Sequence, residues 1–326
     1  MMEDLKDNID TVFYEYQEAL QLKLRLLEEY QGKNLTQVIP GRIVENDRGT
    51  YYHIETEFQY QLKTIQPDYI KEKILSDLKL ISGIGEATEL FLKESGYQTI
   101  EDLTGHPRFK TEAKGFLEIF NRCDLYHLIK WIERWFPKSH PYVIFCSGLH
   151  DKNHFLVLDI ETQGIFKRPI ILIGFAIISG SKINVHQYFT RNTHEEPAVL
   201  QGFLSHIHQD TIFITFNGRT FDIPYIRERL AFHRVIGDME MPHIDVLPFS
   251  RRAWKKDLPN CRLTTLEKYL FGLNRKDDVP SALVPEFYTE YLKTRNIGPI
   301  IPIIEHNRQD VLSLANIFSR LHELWE

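Results

Sequence analysis

Three short segments in the C-terminal half of a 326-residue chain carry carboxylates at spacings suited to divalent cations. They are Asp159-Ile160-Glu161-Thr162, Asn217-Gly218-Arg219-Thr220-Phe221-Asp222 and His306-Asn307-Arg308-Gln309-Asp310. Asp159 and Glu161 stand two apart on a β-prone run, so both side chains point to one side of a strand. They lie toward the strand end where α/β sheets hold ligands. Asp222 follows the β-prone run Thr211–Phe216 after a short loop. Asp310 interrupts the helical stripe Ile303, Asn307, Asp310, Leu314 and Phe318, and a carboxylate on such a face is costly unless paired or metal-bound. Four acids brought together repel one another, and some stay protonated at neutral pH. Two Mg2+ or Mn2+ ions remove that penalty and accept hard oxygen ligands. Held about 3.5–4 Å apart, two such ions suit in-line displacement at a phosphodiester. His306 lies one turn before Asp310 on the same helix face, placed to orient or deprotonate the attacking water. Asn217 is expected to position the substrate or a metal-bound water by hydrogen bonding, and Thr162 to contact substrate.

Each residue has a plainer reading. A lone Asp-x-Glu arises often by chance, Asp222 serves equally as a helix N-cap, and His306 as a surface or hydrogen-bonded core histidine. The combination favours a metal-dependent nuclease-type site.

The elements that must position these groups follow from periodicity. Residues 153–189 read as three strands: Phe155–Asp159, Ile170–Ile178 and Ile183–Phe189. The second is almost wholly apolar and therefore central. A helix at 196–208, the strand Thr211–Phe216, a helix at 223–234 and a short strand Ile244–Leu247 come next, then helices at 263–271, 285–293 and 300–324. Strands interleaved with helices predict an α/β domain with a mixed sheet. Upstream, Leu5, Ile9, Val12, Phe13, Tyr16, Leu20, Leu24 and Leu27 recur at helical spacing over 5–31. Residues 41–60 predict a hairpin around Asn46-Asp47-Arg48-Gly49, and 70–135 is helical. Pro137, Ser139, His140 and Pro141 mark a boundary at about 136–152. The division expected is 1–70, helix plus hairpin; 71–136, helical; and 150–326, the catalytic domain.

Composition narrows the function classes. Net charge is −6, with 39 basic and 45 acidic residues. That argues against a uniformly basic binder yet allows a local positive patch. Cys123, Cys146 and Cys261 are far apart, which excludes a disulfide framework or thiolate zinc site and fits a reducing cytoplasm. The 14 histidines include no H-x3-H paired with cysteines, so no structural zinc is expected. The acidic N-terminus lacks a signal-peptide pattern, and no apolar run approaches the ~18–20 residues of a membrane helix.

Two further segments point to nucleic acid. Ile81-Ser82-Gly83-Ile84-Gly85, followed by Ala87, Leu90, Gly96-Tyr97 and Ile100–Leu103, resembles a helix-hairpin-helix motif. There Gly83 and Gly85 permit the tight turn, and amides at the next helix N-terminus meet a phosphate without reading bases. An ordinary helical turn or a protein-docking element gives the same pattern. Arg251, Arg252, Lys255, Lys256 and Arg262, with Phe249 and Trp254 among them, suit a single-strand track. Alternatively they form a solvated helix face with Trp254 turned inward. Lys167 and Arg168 are weaker phosphate candidates. Asp245 reads as a supporting, substrate-facing or structural acid.

With these residues in hand, positions 153–324 resemble the DEDD 3′–5′ exonuclease superfamily. The three acidic segments match its three motifs in order. Within it, the similarity is to the YprB-like ribonuclease H-like domain. It rests further on His243-Ile244-Asp245-Val246-Leu247, Arg251-Arg252-Ala253-Trp254-Lys255, Leu263-Thr264-Thr265-Leu266-Glu267 and Glu305-His306-Asn307. The resemblance implies Asp159, Glu161, Asp222 and Asp310 as ligands of two metal ions. The superfamily's tyrosine branch has Tyr four residues before the last Asp, and its histidine branch has His five before it. Here a His occupies the tyrosine-type position.

The resulting expectation is an α/β fold with a ribonuclease H-like mixed β-sheet flanked by helices. A mainly helical N-terminal region holding a β-hairpin and a helix-hairpin-helix precedes it. The activity expected is a cytoplasmic 3′–5′ exonuclease using two Mg2+ or Mn2+ ions on single-stranded DNA or DNA ends, with nucleic acid as partner and no membrane. An RNA exonuclease, a structure-selective endonuclease and a non-catalytic scaffold on a degenerate nuclease fold are the alternatives.

Overall fold

The computed structural model describes residues 2–326, with side chains from Tyr16 onward. Helix α1 (Met2–Glu29) and the short α2 (Leu35–Val38) lead into a hairpin of β1 (Arg42–Asn46) and β2 (Gly49–Gln59). The apolar positions Leu5, Ile9, Val12 and Phe13 assigned to the first helix lie outside the residues whose side chains are described. Asn46 Oδ1 accepts from Arg48 N at 3.0 Å and closes the hairpin turn, a local bond that Asn favours.

The helical stretch expected over 70–135 is divided into α3 (Pro67–Leu75), α4 (Glu86–Glu94), α5 (Lys110–Asn121) and α6 (Leu125–Trp135), with a 3-10 segment between α3 and α4 and another between α4 and α5. Pro141 does not simply break the chain. It opens α7 (Pro141–Ser147) at a first-turn position, where a missing N–H is harmless. Val143, Ile144 and Cys146 are fully buried, so this segment is core.

The sheet then forms from β3 (Phe155–Thr162), β4 (Ile170–Ser179) and β5 (Lys182–Phe189), followed by α8 (Glu196–Leu204), β6 (Ile212–Thr215), α9 (Asp222–His233) and β7 (His243–Asp245). Helices α10 (Val246–Trp254), α11 (Leu263–Phe271), α12 (Val284–Thr294) and α13 (Ile300–Trp325) complete the chain. The short strand expected through Leu247 ends at Asp245 instead. The Asp245 carboxylate accepts from Leu247 N at 3.2 Å and starts a helix there.

Among the described residues the strands make one seven-stranded mixed sheet, ordered β1-β2-β5-β4-β3-β6-β7. Neighbours from β1 to β3 are antiparallel, while β6 and β7 run parallel to β3. The N-terminal hairpin is therefore hydrogen-bonded into the sheet, from Tyr52↔Phe189 to Gln59↔Lys182.

Alternation along β3 sorts its side chains into two layers. Leu156, Leu158 and Ile160 pack with residues of α8 and α9. Phe155 and Val157 face α13, joining Val311, Leu314 and Phe318, with the Phe155 and Phe318 rings edge to face at 5.1 Å. The next two positions on that second face are Asp159 and Glu161. An apolar stripe thus turns acidic where the strand reaches its C-terminal end.

Candidate active site

All four acids line one cavity of about 470 Å3, with Thr162, Phe216, Asn217, Ser281 and Pro285 among its other walls. The cavity lies beyond the C-terminal ends of parallel strands β3 and β6, as open α/β sheets predispose. A register shift between Glu161 and Thr162 marks a bulge in β3 at this edge, a device that re-aims side chains beside sites.

The four acids come from three elements, β3, α9 and α13, and Asp159, Asp222 and Asp310 are each held by a group from elsewhere in the chain. Asp159 lies opposite Gly174 of β4, which lies opposite Gln187 of β5. Asn307 of α13 sits over that glycine: its Nδ2 donates to Asp159 Oδ2 at 2.9 Å, and its Oδ1 accepts from Gln187 Nε2 at 2.9 Å. Asp222 is the first residue of α9 and not its N-cap, which is Phe221. Its Oδ1 accepts from Ile160 N at 3.1 Å, reaching back to β3. Asp310 pairs with the guanidinium of Arg275, which also binds Glu267 Oε1 at 2.6 Å.

His306 is buried between these groups. Its Nδ1 bonds Asp278 Oδ1 at 2.6 Å, and its Nε2 lies 3.8 Å from Glu161 Oε1 and 3.6 Å from Asp310 Oδ2. The imidazole therefore faces the acids with one nitrogen and is anchored by the other.

Electrostatics follow from this crowding. Burial, and the fields of Asp310, Asp222 and Glu161, hold the Asp159 carboxyl well above its usual range. Burial pushes Glu161 up to about 8 although His306 pulls it down. Burial likewise raises Asp222 to about 7 against its bonds from backbone amides. Asp310 is raised by burial, opposed by His306 and Arg275. Burial works against a charged His306, yet its bond to Asp278 and the carboxylates of Asp310 and Glu161 raise it to about 9. No three of the four acids' carboxylates offer oxygens mutually within 4.8 Å among the described residues.

A family model described as RNase H superfamily matches residues 156–322, the span that carries all four acids. The chain belongs to the RNase H superfamily. It is 30% identical over 195 residues to the uncharacterized protein YprB of Bacillus subtilis (strain 168), covering 57% of this chain and 46% of that protein. It is 26% identical over 172 residues to a DNA polymerase of Choristoneura fumiferana nuclear polyhedrosis virus, covering 44% of this chain and 16% of the polymerase. The chain thus spans less than half the length of either relative. The similarity to a YprB-like domain, read from the motifs, agrees with the first match.

The RNase H domain places the other expected residues unevenly. Asn217 lines the cavity with its backbone in the left-handed region at φ +65. The Asp245 carboxylate pins that loop, accepting from Asn217 N at 2.8 Å and Arg219 N at 3.2 Å. Thr162 Oγ1 donates to Gly164 O at 2.8 Å, within the loop on the cavity rim. Arg251 is exposed and lines an adjoining pocket with Asn260, Arg262 and Asp310. Arg252 is exposed on the same helix and Lys255 is exposed at its C-cap. Trp254 is a correction. It is only 8% exposed and packs in the core under α10, so it presents no stacking face.

Gly83 and Gly85 lie in the turn before α4, with Gly83 at φ +80. The first turn of that helix carries Glu86 and Glu89, and acids at a helix N-terminus compete with a phosphate for the same amides.

Inspection of the sequence missed Asn307 as the group orienting Asp159, and also Arg275, Asp278 and Glu267. Glu267 gave a signal: an acid next to Leu266 on the buried face of an amphipathic helix, now fully enclosed. Arg275 and Asp278 reach the site from a loop, and nothing in their spacing marks them.

Proposed function

We propose that this chain is a divalent-metal-dependent nuclease that removes nucleotides 3′ to 5′ from single-stranded DNA or DNA ends. The observation that carries the reading is the convergence of Asp159, Glu161, Asp222 and Asp310 on one cavity of an RNase H domain. The donor set fits hard dications: four carboxylates, raised in pKa by burial and mutual repulsion, are the environment such ions relieve. Asp159, Glu161, Asp222 and Asp310 would hold two Mg2+ or Mn2+ ions. When bound, these ions supply an activated water and stabilise the leaving oxygen.

The chain's own residues do the positioning. Asn307 fixes Asp159, the Ile160 amide fixes Asp222, and Asp278 fixes the ring of His306 with Nε2 toward the acids. From there His306 orients the attacking water or handles its proton. Arg251 and Arg262, on the pocket that adjoins Asp310, suit the phosphates of a bound strand. Phe166, 80% exposed on the loop after β3, offers a face for a base. The turn at Gly83 and Gly85 is a weaker contact, given Glu86 and Glu89 beside it. The three free cysteines fit a reducing cytoplasm. Among the described residues no helix is long and apolar enough to cross a membrane.

The test is a digestion panel with Mg2+ or Mn2+, using 5′- and 3′-labelled single and double strands of DNA and RNA plus circular DNA. Release of mononucleotides from 3′ ends of linear DNA, with circles untouched, is expected. Cutting of circles establishes an endonuclease, preference for RNA overturns the substrate, and inert wild-type protein across the panel overturns the activity.

A further inference from the structure

On the face of the sheet opposite the acids, the N-terminal hairpin brings a second set of ligand-type residues together. Glu55 of β2 stands directly across from His186 of β5, and His53 stands across from Tyr188. His53 Nε2 and His186 Nδ1 are 3.0 Å apart. One donor atom from each of His53, Glu55 and His186 lies within 4.8 Å of the other two.

We propose that His53, Glu55 and His186 bind a transition-metal dication of the zinc type, which staples the hairpin strand β2 to β5. Two imidazoles and a carboxylate are a borderline donor set, matched to zinc and its neighbours better than to magnesium. Nitrogens about 2.0–2.1 Å from a tetrahedral ion stand roughly 3.3 Å apart, close to the 3.0 Å spacing here, and the rings must turn from facing each other so that both lone pairs meet at the ion. Glu55 is exposed, and its side chain can rotate to close the remaining distance. A water completes the fourth position, as at three-ligand zinc sites.

The surroundings favour the ligand form of both rings. Burial, together with His186, pushes His53 down to about 4, and burial lowers His186. Phe175 stacks on His186 with ring centroids 5.1 Å apart, and Tyr188 meets His53 edge-on at 4.8 Å. Tyr188 Oη is fixed in turn by His206 Nε2 at 2.7 Å. This outer packing holds the ligand rings, a role such groups have in metal sites. The competitor for Glu55 is Arg42, whose Nη2 lies 3.6 Å from Glu55 Oε2. That pair is exposed, and exposed pairs are worth little.

The probe is Co2+ added to chelator-stripped full chain, read by its visible d–d absorption, which is strong for four-coordinate sites. One equivalent carrying the intense four-coordinate spectrum is expected, displaced by Zn2+, with a rise in Tm. Asp159→Ala is expected to leave it unchanged, separating this site from the carboxylate cavity. Glu55→Ala, at an exposed position, is expected to weaken uptake by about tenfold or more, the range seen even for outer partners. His53→Gln and His186→Gln are each expected to abolish it. The proposal is overturned if wild-type protein develops no such spectrum, since the two rings then merely share a hydrogen bond. It is equally overturned if folded His53→Gln and His186→Gln keep the spectrum.

Discussion

Glu161 carries a cost in stability that its proposed role as a metal ligand would explain. Its carboxyl is raised to about 8 by burial and by Asp310 and Asp222, against the pull of His306, while an exposed glutamate ionises near 4.3. A raised folded-state pKa contributes stability that is present below the unfolded value and lost as pH rises through the folded one. In metal-free buffer the wild type is therefore expected to lose ground to Glu161→Gln from about pH 4.5 to about pH 8. Added Mg2+ should reverse the order at pH 8. Denaturation midpoints of both proteins measured across that range check this, and parallel pH curves would contradict it. The acids are legible in the sequence because two-residue spacing on a strand and an acid on a helix stripe are local patterns. Their partners are not: Asn307 acts through Gly174 and Gln187, two strands away, and Arg275 arrives from a loop.

At the scale of elements, the contact between α13 and the sheet sets the geometry of the site. It depends on Gly174, because a Cβ there would fall 1.9 Å from Asn307 Oδ1. Gly174→Ala must push α13 off β4 or rotate Asn307 away from Asp159. It is expected to destabilise the protein by about 1–3 kcal/mol, the usual penalty of overpacking, and to slow cleavage. Urea midpoints and rates measured together test this, and a variant that matches wild type in both would remove Asn307 from its positioning role. Strand and helix existence is readable here because β4 is almost wholly apolar and α13 keeps a long stripe. Boundaries fare worse where a side chain caps the backbone, as Asp245 does between β7 and α10. Trp254 shows the same limit: a tryptophan among basic residues is equally a base platform or a core anchor, and only packing under α10 decides.

For the whole molecule, the sheet is the unit that matters. The hairpin of β1 and β2 is recognisable from its turn residues, but its pairing with β5 is not, since strands far apart in sequence leave no local mark of their pairing. That pairing also creates the cluster of His53, Glu55 and His186, which no spacing of histidines along the chain announces. The carboxylate cavity is assembled the same way, from β3, α9 and α13 at widely separated points of the RNase H domain. If these elements together form one metal-dependent cutting site, cleavage needs the acids of each of them. The most direct measurement is Mg2+-dependent release of nucleotides from labelled DNA by wild type, Asp159→Ala and Asp310→Ala, each first shown to be folded by circular dichroism. Cleavage by wild type that vanishes on chelation and is lost by several orders of magnitude in both variants is the expected result. Folded variants that cut at the wild-type rate would contradict it.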